Sequence, residues 1–304
     1  MNSQIASRNF YFLLFLGVSL FVFWIPLRML IVFSLEHDYG SHILLVPLVS
    51  VYIMYLAKRE VFSRVQFGLR AGSGLFLTGT VLCWLAHKHS PSFGQDDYFS
   101  LMILSIIIVW ISGFIFCYGT QAFKVARFPL LFLFLMVPIP GFLLDRLVFL
   151  LQAGSAATAY GLLRLLGVPV FRQGFVLLLP GIDIEVAKQC SGIRSSLALL
   201  ITTLVVGEFA LRSVWRRSLL VVSTLPILIV KNGTRIATIS LLGVYVDRGF
   251  LHGWLHTSGG ILFYLLGLVI LVPIIISLRK SEDSNRPVTA MKAAGLSSLE
   301  GQVR

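Results

Sequence analysis

The sequence predicts an all-α polytopic membrane protein of about eight transmembrane helices, with a short extended, hairpin-like segment on the outer side between the fifth span and the sixth. Three observations predict it. Hydrophobic residues make up 57% of the 304 residues and charged residues only 12%, with a mean hydropathy of +0.89, which excludes an ordinary soluble domain. Apolar runs recur at the length needed to cross a hydrocarbon core. The basic residues cluster in the short segments between those runs, as loops facing the cytoplasm do.

The formal charge of +12 therefore reads as a topology signal, and nucleic acid is excluded as a partner because that reading needs a basic face on a soluble fold. The partner that composition implies is the lipid bilayer. Three cysteines, two of them inside apolar runs, make no disulfide framework. The first apolar run, Phe10 to Phe33, is too long for the core of a cleavable signal and lacks a small-residue cleavage site, so it is expected to be a retained span.

In chain order, spans are expected near 10–33, 42–57, 72–88 and 99–118, then near 128–145, 191–211, 218–245 and 256–278. The stretch 128–168 is ambiguous, since Pro138, Pro140 and Gly141 break it and Asp145, Arg146 and Arg164 interrupt its apolar character. Loop charge resolves it. Lys58, Arg59, Arg64 and Arg70, then Lys124 and Arg127, then Arg212, Arg216 and Arg217, and finally Arg279 and Lys280 all belong inside. An even number of crossings must separate Arg127 from Arg212, and 191–211 supplies one, so 128–168 crosses once, with 141–168 at the outer interface. Residues 1–280 then form a single integral membrane domain, and the polar tail 281–304 is expected to be disordered and cytoplasmic.

Between Pro169 and Leu200 the pattern changes. Ile182, Ile184 and Val186 alternate with Asp183 and Glu185 at the period of a strand, and Pro180-Gly181 precedes them as a turn pair. Ser191 and Gly192 are capping candidates for a helix over the apolar run from Ile193, which puts Cys190 at a helix N-terminus beside Lys188 and Arg194. All three surroundings favour thiolate over thiol, whereas Cys83 and Cys117 sit in apolar runs as ordinary small hydrophobes.

Two further polar positions interrupt later spans. Arg235 lies inside the run Leu219 to Val246 with Asn232 three residues earlier on the same face. A plain alternative is an arginine near the outer helix end that snorkels to the interface, a reading that Lys231 beside it supports. His252 and His256 are four apart at the start of the last span, but no carboxylate accompanies them in the manner of a zinc-binding helix, so no metal or other cofactor is expected. Under the loop-charge topology Cys190, Arg235 and His256 share the outer side. A thiol, a guanidinium and an imidazole in one water-accessible pocket are the parts of nucleophilic acyl transfer.

The motifs AKQCSGIRSS around Cys190, KNGTRI around Arg235 and LHTSGG around His256 resemble, in content and order, those of the exosortase/archaeosortase family. DYGSHILLVPLVS at 38–50 and the PIPG break at 138–141 also fit, although the commoner bacterial form reads D-Y-S-H-G where this chain has Gly40 before Ser41 and Ile43 after His42. The resemblance runs from Asp38 to about Leu278, and the histidine in the third motif resembles the bacterial members. It implies a membrane cysteine transpeptidase of the bacterial cytoplasmic membrane, with Cys190 as nucleophile, Arg235 as essential arginine and His256 completing the triad on the periplasmic side. Asn232, Ser191, Gly192, Asp38 and His42 are expected as supporting residues. The implied partners are exported proteins with a C-terminal tripartite (PEP-CTERM-type) sorting signal and a surface acceptor, either polysaccharide or lipid. Two other classes fit the polar positions: a transporter or channel with Arg235 and His256 along its path, and a non-enzymatic subunit of envelope polysaccharide export.

Overall fold

The computed structural model of the chain describes residues 2–63, 65–88, 94–251, 253 and 259–300. Among these, seven helices are long and apolar enough to cross a membrane, and the fold is all-α and multi-pass. The chain divides into two compact units, 1–145 and 146–304.

In the first unit, α1 (Asn2–Val22) and α2 (Trp24–Glu36) are followed by a 3-10 turn at Asp38–Gly40 and the short helices α3 (Leu45–Leu56) and α4 (Lys58–Val61). Helices α5 (Leu69–Lys88) and α6 (Gln95–Val125) then pair along their length. Small residues permit their approach: a Cβ on Gly72 would meet the Phe116 ring at 2.8 Å, and one on Gly79 would meet Val109 at 2.8 Å. Helix α6 is the core of the unit, with Ile103, Ile106, Ile107 and Phe114 buried. Gly119 (φ +87) kinks it where Gln66 donates to the Tyr118 carbonyl at 3.2 Å.

The region 127–165 departs from the expected span at 128–145. Helix α7 (Arg127–Phe132) and a 3-10 turn at Leu133–Met136 are too short to cross, and Pro138 and Pro140 end them. Helix α8 (Gly141–Leu165) follows, and its 25 residues meet the length and hydropathy of a crossing. The helix in this region that is long and apolar enough to cross thus follows the break rather than preceding it. Similarly, the 12-residue α3 is shorter than the expected span at 42–57.

In the second unit, α8 ends in a turn around Gly167 (φ +75), with Val168 donating to the Leu163 carbonyl, and Pro169 blocks its continuation. Three antiparallel strands follow in sequence order, β1 (Phe171–Gln173), β2 (Val176–Leu179) and β3 (Ile182–Glu185). Register pairs Leu177 with Ile184 and Leu178 with Asp183, so Leu177 and Leu179 face the core while Asp183 and Glu185 stay exposed. The expected hairpin is therefore a three-stranded meander. Its turns need glycine, with Gly174 at φ +62 and Gly181 at φ +77 after Pro180.

Helices α9 (Ile193–Ala210), α10 (Val214–Tyr245) and α11 (Gly260–Glu300) complete the unit. The last helix continues through 281–300, which the sequence reading assigns to a disordered tail. Glu282 accepts the backbone amides of Arg212 and Ser213 at 3.0 and 2.7 Å, so α11 caps the start of α10. Small residues seat α10 on α8, where a Cβ on Gly233 would meet Thr158 at 2.5 Å. The sheet packs on both, with Ala156, Ala159, Leu177, Val186, Ile236 and Ala237 in one buried cluster.

Candidate functional site

Cys190 lies in a 3-10 turn, Lys188–Ser191, that joins the meander to α9; its side chain is outside the described residues. The chain turns into the helix through Gly192 at φ +71 and ψ +22, a conformation that carries a steric cost for any side chain. Helix α9 then starts at Ile193, as the sequence predicts. Of the two capping candidates, Gly192 takes the position and Ser191 does not. Gly192 occupies the N-cap position and no side chain caps it, while the Ser191 hydroxyl is buried and without a hydrogen-bond partner among the described residues. Ser196 donates its amide to the Gly192 carbonyl at 2.9 Å, the first backbone bond of α9. A helix start of this kind favours an anion beside it.

Helix α10 supplies the other wall. A Cβ on Gly192 would come within 2.5 Å of Asn232 Oδ1, so the carboxamide presses directly on the turn after Cys190. Asn232 is itself buried and donates to Ser155 Oγ on α8 at 2.9 Å. One residue earlier, Lys231 donates to Ser195 Oγ at 2.6 Å, and Ser195 in turn donates to the Gly192 carbonyl at 3.1 Å. Lys231 is 1% exposed. From α8, Gln152 donates to the carbonyl of Val186 and ties β3's exit to the same wall.

Arg235, half-buried, lines a small, partly open cleft of about 40 Å³ with Ile184, Glu185, Val186, Ile236, Ile239 and Ser240. A guanidinium at the mouth of an apolar cleft, one helical turn beyond the residues that brace the Cys190 turn, can bind a developing oxyanion or a carbonyl there. The site thus gathers Cys190's backbone, Ser191, Gly192, Asn232 and Arg235 within one unit. Sequence reasoning does not single out Ser195, Ser155 or Gln152; their only signal is a polar residue in an apolar run, which many spans carry.

His256 and His252 lie outside the described residues. Asp38 and His42 belong to the first unit. Asp38 opens the 3-10 turn there, its side chain being outside the described residues, and His42 is half-buried with the backbones of Tyr39 and Leu135 as hydrogen-bond partners.

The family model for the transmembrane exosortase (Exosortase_EpsH) matches residues 32–273, which include all three polar motifs. No curated protein and no solved structure matches the chain. With more than half of its length matched, from α2 into the last helix, this multi-pass membrane protein belongs to the transmembrane exosortase family.

Proposed function

We propose that the protein is a membrane cysteine transpeptidase that cleaves the C-terminal sorting signal of exported proteins at the outer face of the cytoplasmic membrane. The observation that carries the reading is the turn at Cys190. It is held left-handed at Gly192, braced by Asn232, and followed by the start of α9, with Arg235 one turn beyond Asn232 lining a cleft beside β3.

The Cys190 thiolate attacks the scissile carbonyl carbon, a C–S bond forms, and the carbonyl π electrons move to oxygen. Arg235 holds that oxyanion. As the oxyanion collapses the C–N bond breaks, and His256 protonates the departing amine, leaving a thioester on Cys190. A second nucleophile, deprotonated by His256, attacks the thioester and restores the thiolate. A surface hydroxyl or amine acceptor gives transpeptidation, and water gives proteolysis. The cysteine chemistry, the substrate with a tripartite signal and the acceptor come from family membership and the three matching motifs.

The test is co-expression with a tagged substrate that ends in a PEP-CTERM-type signal, read by gel shift. Cys190→Ala, Cys190→Ser, Arg235→Ala and His256→Ala are each expected to abolish processing at normal protein level. Processing that survives Cys190→Ala overturns the reading and turns attention to transport, which a flux assay would address.

A further inference from the structure

Lys231 is a full-length cationic side chain, 1% exposed, in a helix turn made of Ile227, Leu228 and Val230. Burying an ammonium without compensation is costly, so its surroundings must either neutralise it or use it. Among the described residues no carboxylate pairs with it. Its hydrogen bond goes to the Ser195 hydroxyl at 2.6 Å, and that hydroxyl goes on to the Gly192 carbonyl at 3.1 Å. The stem cannot swing away, because the last helix closes on it: a Cβ at Gly267 would lie 3.3 Å from Lys231 Cδ.

Arg235 follows one turn later on the same helix, while Lys188 and Arg194, which flank Cys190 on its own segment, are exposed. Glu185 is the one carboxylate of the sheet that lines the Arg235 cleft. Helix α8 contributes uncharged Ser155 and Gln152, and the last helix contributes Tyr264, whose hydroxyl is 2.9 Å from that of Thr202. Cys190 lies two residues before the carbonyl on which the Lys231–Ser195 chain ends.

We infer that Lys231 is a positioning residue for Cys190: through Ser195 its ammonium anchors the Gly192 turn, and its charge favours the thiolate. The inference rests on the reading of Cys190 as nucleophile. It accounts for why a lysine stands where a leucine would bury more cheaply, and for why Ser195 points back along its helix rather than outward.

The test is the pH dependence of iodoacetamide alkylation at Cys190, followed by mass spectrometry of the peptide that contains it, on the full chain in detergent without substrate. Removing a nearby positive charge makes the thiolate harder to form, so Lys231→Met should move the alkylation midpoint upward by about one pH unit and slow substrate processing tenfold or more. Lys231→Arg should hold the midpoint near wild type. Ser195→Ala should raise it by less than Lys231→Met does. An unchanged midpoint in Lys231→Met overturns the inference, as does Lys231→Arg shifting as far as Lys231→Met. Should Lys231→Met not accumulate, Ser195→Ala decides, since it removes one hydroxyl, and an unshifted midpoint there overturns the inference too. Processing that persists in Cys190→Ala would instead sink the nucleophile assignment, a separate result from the alkylation midpoint.

Discussion

Replacing Gly192 with alanine attacks the site at its hinge. At φ +71 an L-residue costs roughly 1–2 kcal/mol over glycine. The new Cβ would also meet Asn232 Oδ1 at 2.5 Å, and Asn232 is not a free surface end that can swing aside, because it is buried and donates to Ser155. Displacing that hydrogen bond adds about 1 kcal/mol. Together these disfavour the native turn by about 2–3 kcal/mol, which is roughly 30- to 150-fold in its population. Processing of a tagged substrate in Gly192→Ala should fall by that factor while the amount of membrane-inserted protein changes little, since the spans are untouched. A double-mutant cycle separates the two causes. In the Gly192→Ala background, Asn232→Ala should cost less than it does in wild type, because one clash disappears with the carboxamide. Wild-type processing by Gly192→Ala, or strict additivity of the two substitutions, would refute this account of the turn.

Three other outcomes follow from the same structure. Arg235→Lys keeps a charge but loses the planar fork, so processing should drop at least tenfold at normal protein level; activity near wild type would show that charge alone suffices. Gly233→Leu should prevent α10 from seating on Thr158, at 2.5 Å from even a Cβ, and should lower the yield and thermal midpoint of the detergent-extracted protein. In the first unit, Gly119→Ala combines a positive φ of +87 with a contact of 2.5 Å to the Gln66 carbonyl, so it should destabilise by several kcal/mol; a thermal midpoint equal to wild type would contradict that.

Much of this was legible in one dimension because membrane burial is written as run length. The membrane class, the Pro180-Gly181 turn, the alternation through Ile182 and Ile184, and the start of α9 at Ile193 all depend on local spacing. What was not legible depends on which face meets which neighbour. Lys231 reads only as a second cation near Arg235, yet α9 and the last helix enclose it, and only their packing shows that. Asn232 and Arg235 share a helical face, as three-residue spacing requires, but one presses on Gly192 and the other lines the cleft beside β3. Ser191 has the chemistry of a cap and does not act as one, because Gly192 adopts the left-handed turn first. In 127–165 the proline break is plain, but hydropathy is similar on both sides of it, so spacing alone does not say that the crossing helix comes after the break. Strand β1, Phe171–Gln173, is too short to show a period.

The central claim is a thioester on Cys190. It is tested most directly by purifying the chain after co-expression with a tagged substrate and looking for the tag joined to it. A covalent adduct that neutral hydroxylamine releases, that mass spectrometry maps to Cys190, and that is missing from Cys190→Ala is the predicted result. Processed substrate accumulating in cells that carry only Cys190→Ala would contradict it.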